Sequence, residues 1–382
     1  MHLCRGRHLS LELTLREDGN LELRIIDTLD DLARSADSWN DLWQRSDTAS
    51  PSARAEQLAL WIETFAPTVQ FSALVVEDAG QLVAALPLIR RRVKKVVTVG
   101  ALPFCEWSSG GDLLVDPSCD AASALDLLVR GAAQSRWPLL WCDDVPRDEP
   151  RWQQLADALS RAGWSVNFRD QSKTAQTVIS HDWASYEAGL RGDLRRARKR
   201  SARRLEEHGK TEVIVSRPTE AADVDKLVRT AFEVEDRSWK GAEGTSVLKN
   251  DGMLPFFQRQ ARLLAAQGQL EIVMLEHEGT PIASIYVWAA KGIRFTAKVG
   301  YDEAFRAFGP GQYLMMRYLE RLHADPDCRV VDYWGPLMQW SLDWSTRVYT
   351  TARLVAAPPR LHSRGLLYAY SRLRRRRATS AL

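Results

Sequence analysis

Residues 293–299 read IRFTAKV, and residues 306–322 read RAFGPGQYLMMRYLERL. The first run is rich in β-branched and aromatic residues and is followed by Gly300, which predicts a strand. In the second, Gly309-Pro310-Gly311 forms a loop that opens a helix. Strand, glycine loop, helix is an order that builds an anion site. The first turn of a helix carries backbone N–H groups with no intrahelical partner, and the macrodipole adds partial positive charge there. A phosphate can then be held by main chain alone, and glycine lets it approach closely. At this level two readings stay open: a pyrophosphate loop, or a Gly-Pro-Gly turn that starts an ordinary helix.

The 382 residues suit two domains of ordinary size. A hydrophobic fraction of 45% beside 26% charged residues is that of a soluble globular chain and excludes a disordered one. The net charge of +3 is unevenly spread: Arg191 to Arg204 holds eight Lys or Arg against one Asp, and Arg360 to Arg377 holds seven Arg and no acid. Five cysteines (Cys4, Cys105, Cys119, Cys142, Cys328) lie far apart without a C-x-x-C pair, which argues against a zinc knuckle and a disulfide framework. The start lacks an apolar run of signal-peptide length, and no stretch reaches the ~18 to 20 apolar residues of a membrane span. The expected setting is the cytoplasm, with at most peripheral contact at the inner face of a membrane.

Working outward from the loop, two segments share one layout: FSALVVEDAGQLVAALPLI at 71–89 and EIVMLEHEGTPIASIYVWA at 271–289. Each is a strand, an acidic turn with one glycine and a second strand, and each follows a helical stretch. Gly80 aligns with Gly279 and Ala84 with Ala283 at a constant offset, so both halves carry one kind of αββ unit. The first half continues differently: Gly110-Gly111 has no matching arginine, and a strand follows it. The expected boundary is the polar stretch DQSKT at 170–174, after a helix at Trp152–Gly163 and a short strand at Trp164–Phe168. The expected plan is an N-terminal extension (1–22), a degenerate domain (23–170), a second domain (171–357) and a basic helical tail (358–382).

The second half resembles the acetyltransferase domain of the cellulose-biosynthesis (CelD-like) acyltransferases, which belong with the GNAT transferases and are similar to the tandem-GNAT FemABX peptidyltransferases. The residues that carry this are Tyr186 with LRGDLRRARKRSARRLEEHG at 190–209, SWKG at 238–241 with Gly244-Thr245, KVGYDEAF at 298–305, and Gly309-Pro310-Gly311. R-x-x-G-x-G at 306–311 resembles the GNAT pyrophosphate loop. The first half is similar through WNDLWQRS at 39–46, AALPLIRR at 84–91 and GGDLLVDP at 110–117. The chain departs from the family at Trp340-Ser341, where such proteins often carry Tyr-Lys. The resemblance implies an α/β fold (α+β, mixed sheet) of two tandem GNAT-like, acyl-CoA N-acyltransferase domains. It also implies acetyl-CoA or another acyl-CoA as co-substrate, and an amine or sugar acceptor from envelope or exopolysaccharide synthesis.

Acyl transfer needs a held donor, a polarised carbonyl and a route for a proton. In a GNAT-like site a backbone N–H near Val299 would face the thioester oxygen. Gly309, Gly311 and the N–H groups of Gln312 and Tyr313 would hold the pyrophosphate, with Arg306 as a fork-shaped cation or else a solvated loop residue. Glu235 or Asp236, beside Trp239, is the candidate base, because a carboxylate against a large ring is partly desolvated; a solvated helix end is the bland reading. Trp239, Lys240 and Lys298 are candidates for substrate contact, although Lys240 could simply cap a helix. Asp332 and Tyr333 are candidates for acceptor contact and for protonating the departing thiolate, and Tyr301 competes for the latter role.

The seven histidines are scattered without ligand spacing, so no metal site is expected. The cations from Arg195 to Arg204 could draw a polyanion, or form a solvated helix face. The tail, with Leu and Tyr among arginines, could lie on anionic lipid or pack on the domain. The function expected is therefore acyl transfer from an acyl-CoA, with groups other than aminoacyl. An aminoacyl-tRNA-dependent FemABX-like transferase and an inactive scaffold of a polysaccharide synthase complex are the rivals.

Overall fold

The computed structural model describes residues 21–379, with side chains to residue 372. The expected N-terminal extension therefore falls outside the described residues up to residue 20, as do the side chains of Arg374 to Arg377. The chain divides into two compact units. The first holds the residues up to Thr48, Ala53–Arg169 and those from Arg353 on; the second holds Ala49–Ser52 and Asp170–Ala352.

The first unit begins with β1 (Leu21–Ile26), helices α1 (Leu29–Arg34), α2 (Ala36–Arg45) and α3 (Ala55–Phe65), then β2 (Phe71–Asp78), β3 (Gln81–Val93) and β4 (Val97–Ala101). These four strands form an antiparallel meander. After the two-residue strand β5 (Leu114–Val115), helix α4 (Ala121–Gln134) leads to β6 (Leu140–Pro146). β6 lies parallel to β4 through Gly100↔Leu140 and Ala101↔Trp141. Helix α5 (Pro150–Arg161) follows, and Leu125, Leu128, Trp152, Leu155 and Leu159 bury an apolar stripe against the strands.

β7 (Ser165–Val178) carries the chain into the second unit. It runs unbroken past Phe168, where the sequence placed the end of a short strand, and on through DQSKT. Asp170, Gln171 and Lys173 are exposed there, so the strand carries them without burying charge, while buried Thr174 donates to the Gly335 carbonyl at 3.0 Å. Then come α6 (Trp183–Gly189), the basic α7 (Gly192–His208), β8 (Thr211–Ser216), α8 (Ala221–Asp236), the short α9 (Trp239–Ala242) and α10 (Met253–Ala266). β9 (Leu270–His277), β10 (Thr280–Ala290) and β11 (Ile293–Tyr301) complete an antiparallel meander with β8. Helix α11 (Pro310–His323) crosses over to β12 (Val330–Asp332), which lies parallel to β11 and antiparallel to β7. The short α12 (Gln339–Leu342) and β13 (Arg347–Ala357) follow, and β13 returns the chain to the first unit, where α13 (Leu361–Thr379) ends the described residues.

Both units thus repeat one topology, an antiparallel meander closed by a single parallel pair, and this is the expected mixed α/β tandem. The parallel pair is made by a crossover helix in each case, as parallel neighbours require.

Candidate functional site

Strand β11 has two unlike edges. Along one it pairs with β10 from Ile293 to Tyr301, with a bulge where Tyr286↔Lys298 gives way to Val287↔Thr296 and Ala297 is left over. Along the other it meets β12 only at Ile293↔Val330, Arg294↔Val331 and Phe295↔Asp332. From Thr296 on, β11 has no strand partner on that side among the described residues, so the two parallel strands open into a fork. The bulge sits where they part, and bulges add local twist that drives strands apart.

The open end of β11 leads into the glycine loop before α11. Residues 303–308 make a 3-10 turn started by Asp302, whose carboxylate accepts from Ala304 N–H. Gly309 takes the left-handed conformation with φ 63°, and Pro310 starts α11. The Tyr313 N–H already donates to the Gly309 carbonyl at 3.0 Å. The expectation that Tyr313 holds a phosphate therefore needs correcting: the donors left over by helix geometry are Gly311 and Gln312. The Tyr313 ring is buried, and its hydroxyl donates to Glu206 at 2.8 Å. A Cβ added at Gly311 would stand 3.3 Å from the Tyr301 ring, and one at Gly309 would stand 3.1 Å from the Ser201 hydroxyl. Arg306 is 78% exposed, with Glu303 as its acid neighbour at 3.8 Å, so its guanidinium faces solvent.

Helix α7 backs this loop. Ser201 Oγ donates to the Phe308 carbonyl at 2.9 Å, and Arg204 donates to the Ala307 carbonyl at 3.0 Å. Its cations do not form one solvated face. Arg198 is buried with its guanidinium 3.4 Å above the Trp344 ring, Lys199 pairs with Glu187 and Arg203 with Glu207, while Arg196 and Arg200 stay exposed.

On the far side, α8 ends against β11. A Cβ at Gly300 would lie 2.7 Å from the Glu235 Cα, so helix and strand touch through bare backbone. Glu235 is 3% exposed and both of its oxygens are occupied: Lys240 Nζ donates at 2.8 Å and Val247 N–H at 3.1 Å. Lys240 also donates to the Val299 carbonyl at 2.9 Å. The pair therefore latches the end of α8 to the fork, which explains why these residues lie close in sequence. Asp236 accepts from Ser246 and stands 3.9 Å from Lys249. Trp239 is 48% exposed.

Register decides which side chains share a face. Phe295 stands opposite Trp288 and beside Asp332, and the bulge brings Lys298, opposite Tyr286, onto that same face. The Lys298 ammonium lies 5.3 Å from the Phe257 ring centre. Asp332 is buried at the base of the fork. Its Oδ2 accepts from Gln176 Nε2 at 2.8 Å and from Tyr349 OH at 3.1 Å, and its Oδ1 accepts from Trp334 N–H at 2.8 Å. Burial pushes its carboxyl above the usual range, in spite of these hydrogen bonds. Trp334 itself holds φ 29° and sets its ring edge-on to Trp288 and Phe295. Tyr333, one residue from Asp332, turns to the opposite face. Its hydroxyl is 2.7 Å from Thr177 Oγ1, inside the cluster that α11 covers. The structure thus separates Tyr333 from Asp332, with which the sequence paired it, because neighbours on a strand point to opposite faces. Tyr301 is half-buried beside Gly311, and its hydroxyl pKa is raised by burial and by Glu303.

The sequence reading missed Gln176, Ser201, Trp334 and Tyr349. Apart from a lone tryptophan and a tyrosine near a strand end, nothing local marks them. Among the described residues, no group of three or more His, Cys, Asp or Glu could hold a metal ion.

Comparison with known proteins agrees with this geometry. Residues 192–341 match the family described as an acetyltransferase (GNAT) domain. No curated protein sequence matches the chain. Among solved structures the chain is similar to FemX, at 13% identity and TM-score 0.56, over 84% of this chain and 95% of that one. It is also similar to the C-terminal domain of a putative lysylphosphatidylglycerol synthetase from Agrobacterium fabrum, at 12% identity and TM-score 0.52, over 89% and 96%. A third likeness, to L-PGS from Bacillus licheniformis, has 12% identity and TM-score 0.50, over 88% and 95%. These likenesses speak to fold. The fork, the loop and the match to the acetyltransferase (GNAT) domain model thus fall in one stretch of the chain, residues 192–341.

Proposed function

We propose that the protein is an acyl-CoA-dependent acyltransferase, with acetyl-CoA as donor, that acylates an amine or hydroxyl acceptor of envelope or exopolysaccharide synthesis in the cytoplasm. The observation that carries this is the fork between β11 and β12 opening onto the uncapped start of α11. The cradle suits a pyrophosphate: Gly311 and Gln312 offer N–H donors, a side chain at Gly309 or Gly311 would press on Ser201 or the Tyr301 ring and shift the loop, and Arg306 adds an exposed cation. Bound there, the donor supplies an activated thioester carbonyl.

The chain's own groups then divide the work. Main chain near Val299 in the open part of the fork polarises the carbonyl oxygen. Lys298 and Trp239 orient the acceptor. Asp332, whose donors are all neutral and whose carboxyl is raised by burial, receives the acceptor's proton, with half-buried Tyr349 linking it to the surface; Glu235 is held by the Lys240 ammonium and Asp236 by Ser246. Tyr301, beside the loop, returns a proton to the leaving sulfur. The acceptor class rests on the resemblance to CelD-like proteins alone.

Isothermal titration with acetyl-CoA tests the reading. The wild type should bind; Arg306→Ala should weaken binding roughly tenfold, as expected for a charge-assisted phosphate contact, and Gly311→Trp should abolish it. Absence of binding by the wild type would overturn the proposal. A mobility shift of charged tRNA with a steep salt dependence would then favour an aminoacyl-tRNA-dependent transferase, and neither response would favour a scaffold.

A further inference from the structure

In the first unit, far along the sequence from the donor loop, β3 and β4 meet in a hairpin whose tip is unusually cationic. Five of the six residues from 90 to 95 are Lys or Arg. Lys94 and Lys95 both hold positive φ, 49° and 59°, a conformation that glycine or asparagine adopts at lower cost. The next residue, Val96, is 77% exposed. Charge and an exposed aliphatic are thus presented together at a tip where neither relieves the backbone.

The hairpin is joined to α13 by a cleft of about 290 Å³ lined by Arg91, Lys94, Trp141, Asp143, Arg353 and Tyr370. Asp143 is its one acid and pairs with both Arg91 and Arg353, so the cleft keeps a positive balance. Arg353 lies 4.7 Å from the Trp141 ring centre and donates to Tyr370 OH at 3.1 Å. Helix α13 docks through Ser363, Leu367 and Tyr370. Leu361, Tyr368 and Arg372 fall on another stripe at helical spacing: Leu361 is 91% exposed, Tyr368 59%, and Arg372 stacks on Tyr368 at 4.9 Å. Beyond them the helix backbone continues through Arg374 to Arg377, and no acid occurs in α13.

We infer that the hairpin tip and the outward stripe of α13 form a docking face for an anionic phospholipid bilayer, on which Val96, Leu361 and Tyr368 enter the headgroup layer while Lys94, Lys95, Arg372 and the cleft take lipid phosphates. The apolar side chains decide the partner. A nucleic acid would use the cations and stack on Tyr368 but gain nothing from the exposed aliphatic Val96 and Leu361, whereas a membrane interface rewards all three classes together. Among the described residues no helix is long and apolar enough to cross a membrane, so the contact is peripheral there.

The test is co-sedimentation of the full chain with phosphatidylglycerol-containing vesicles and with pure phosphatidylcholine vesicles, at low and high salt. The wild type should bind the anionic vesicles and release at high salt. Lys94→Glu/Lys95→Glu should weaken binding roughly 25-fold or more, since each interfacial cation contributes about fivefold. Val96→Ser, at an exposed position that folding tolerates, should weaken it a few-fold with the salt dependence kept. Arg196→Glu/Arg200→Glu, on α7, should leave it intact. Equal binding to both vesicle types, wild-type binding by the Lys94→Glu/Lys95→Glu and Val96→Ser variants, or loss confined to the α7 variant would each overturn the inference. So would tighter retention on single-stranded DNA than on the anionic vesicles.

Discussion

Replacing Lys240 with methionine should loosen the second unit more than any other single change near the fork, and the size of the effect follows from what Lys240 touches. Its ammonium donates to Glu235 at 2.8 Å and to the Val299 carbonyl at 2.9 Å. Without it, a carboxylate whose side chain is 4% exposed keeps a single donor, the Val247 N–H. Orphaning a buried charge costs about 3 to 5 kcal/mol. The Lys240 side chain is 22% exposed, so water already screens part of the pair and the lower end, about 3 kcal/mol, applies. Glu235→Gln keeps an oxygen for Val247 and removes the charge, so about 1 to 2 kcal/mol is expected. Lys240→Met with Glu235→Leu removes both partners and should cost less than Lys240→Met alone, a coupling of about 2 kcal/mol. Denaturant unfolding followed by tryptophan fluorescence measures this, taken on the transition that belongs to the second unit, because two units need not unfold together. A Lys240→Met variant within about 0.5 kcal/mol of wild type, or a double variant that merely adds the two single effects, would refute the latch.

Two further outcomes follow from the same site. Gly300→Ala places a Cβ 2.7 Å from the Glu235 Cα, a main-chain atom that cannot swing aside, so thermal unfolding should show a loss of about 1 to 3 kcal/mol. Asp332→Asn tests the buried carboxyl through pH. Its folded pKa is raised by burial, so the folded state binds the proton more tightly than the unfolded one. Asp332 is therefore harmless below the unfolded carboxylate range and becomes a liability as pH rises through its folded value. Melting temperatures should show Asp332→Asn gaining on wild type between pH 4 and pH 7; a gap that narrows with rising pH would contradict the burial argument.

The hairpins at 71–89 and 271–289 and the strand, loop and helix at 293–322 could be read because each rests on local terms: β-branched alternation, a turn glycine, a helical stripe. The site was only partly readable. Arg306, Gly309 and Gly311 announced themselves within one loop. Asp332 was a candidate from its place near a strand end, but its buried hydrogen-bonded setting was not legible, since its partners Gln176 and Tyr349 lie 156 and 17 residues away. Ser201 supports the loop across 107 residues and has no local signature at all. The short strand expected at Trp164–Phe168 runs on through DQSKT, because polar side chains suit an exposed strand segment as well as a loop.

By itself, then, the sequence determined the element types and the place of the glycine turn that opens α11, because propensity, periodicity and glycine conformation act within a few residues. Tertiary structure decided which carboxylate stands at the fork, which one is locked by lysine, and that Tyr313 and Tyr333 are turned away. Those outcomes depend on strand register and on the bulge at Ala297, where a shift of one residue moves every following side chain to the other face.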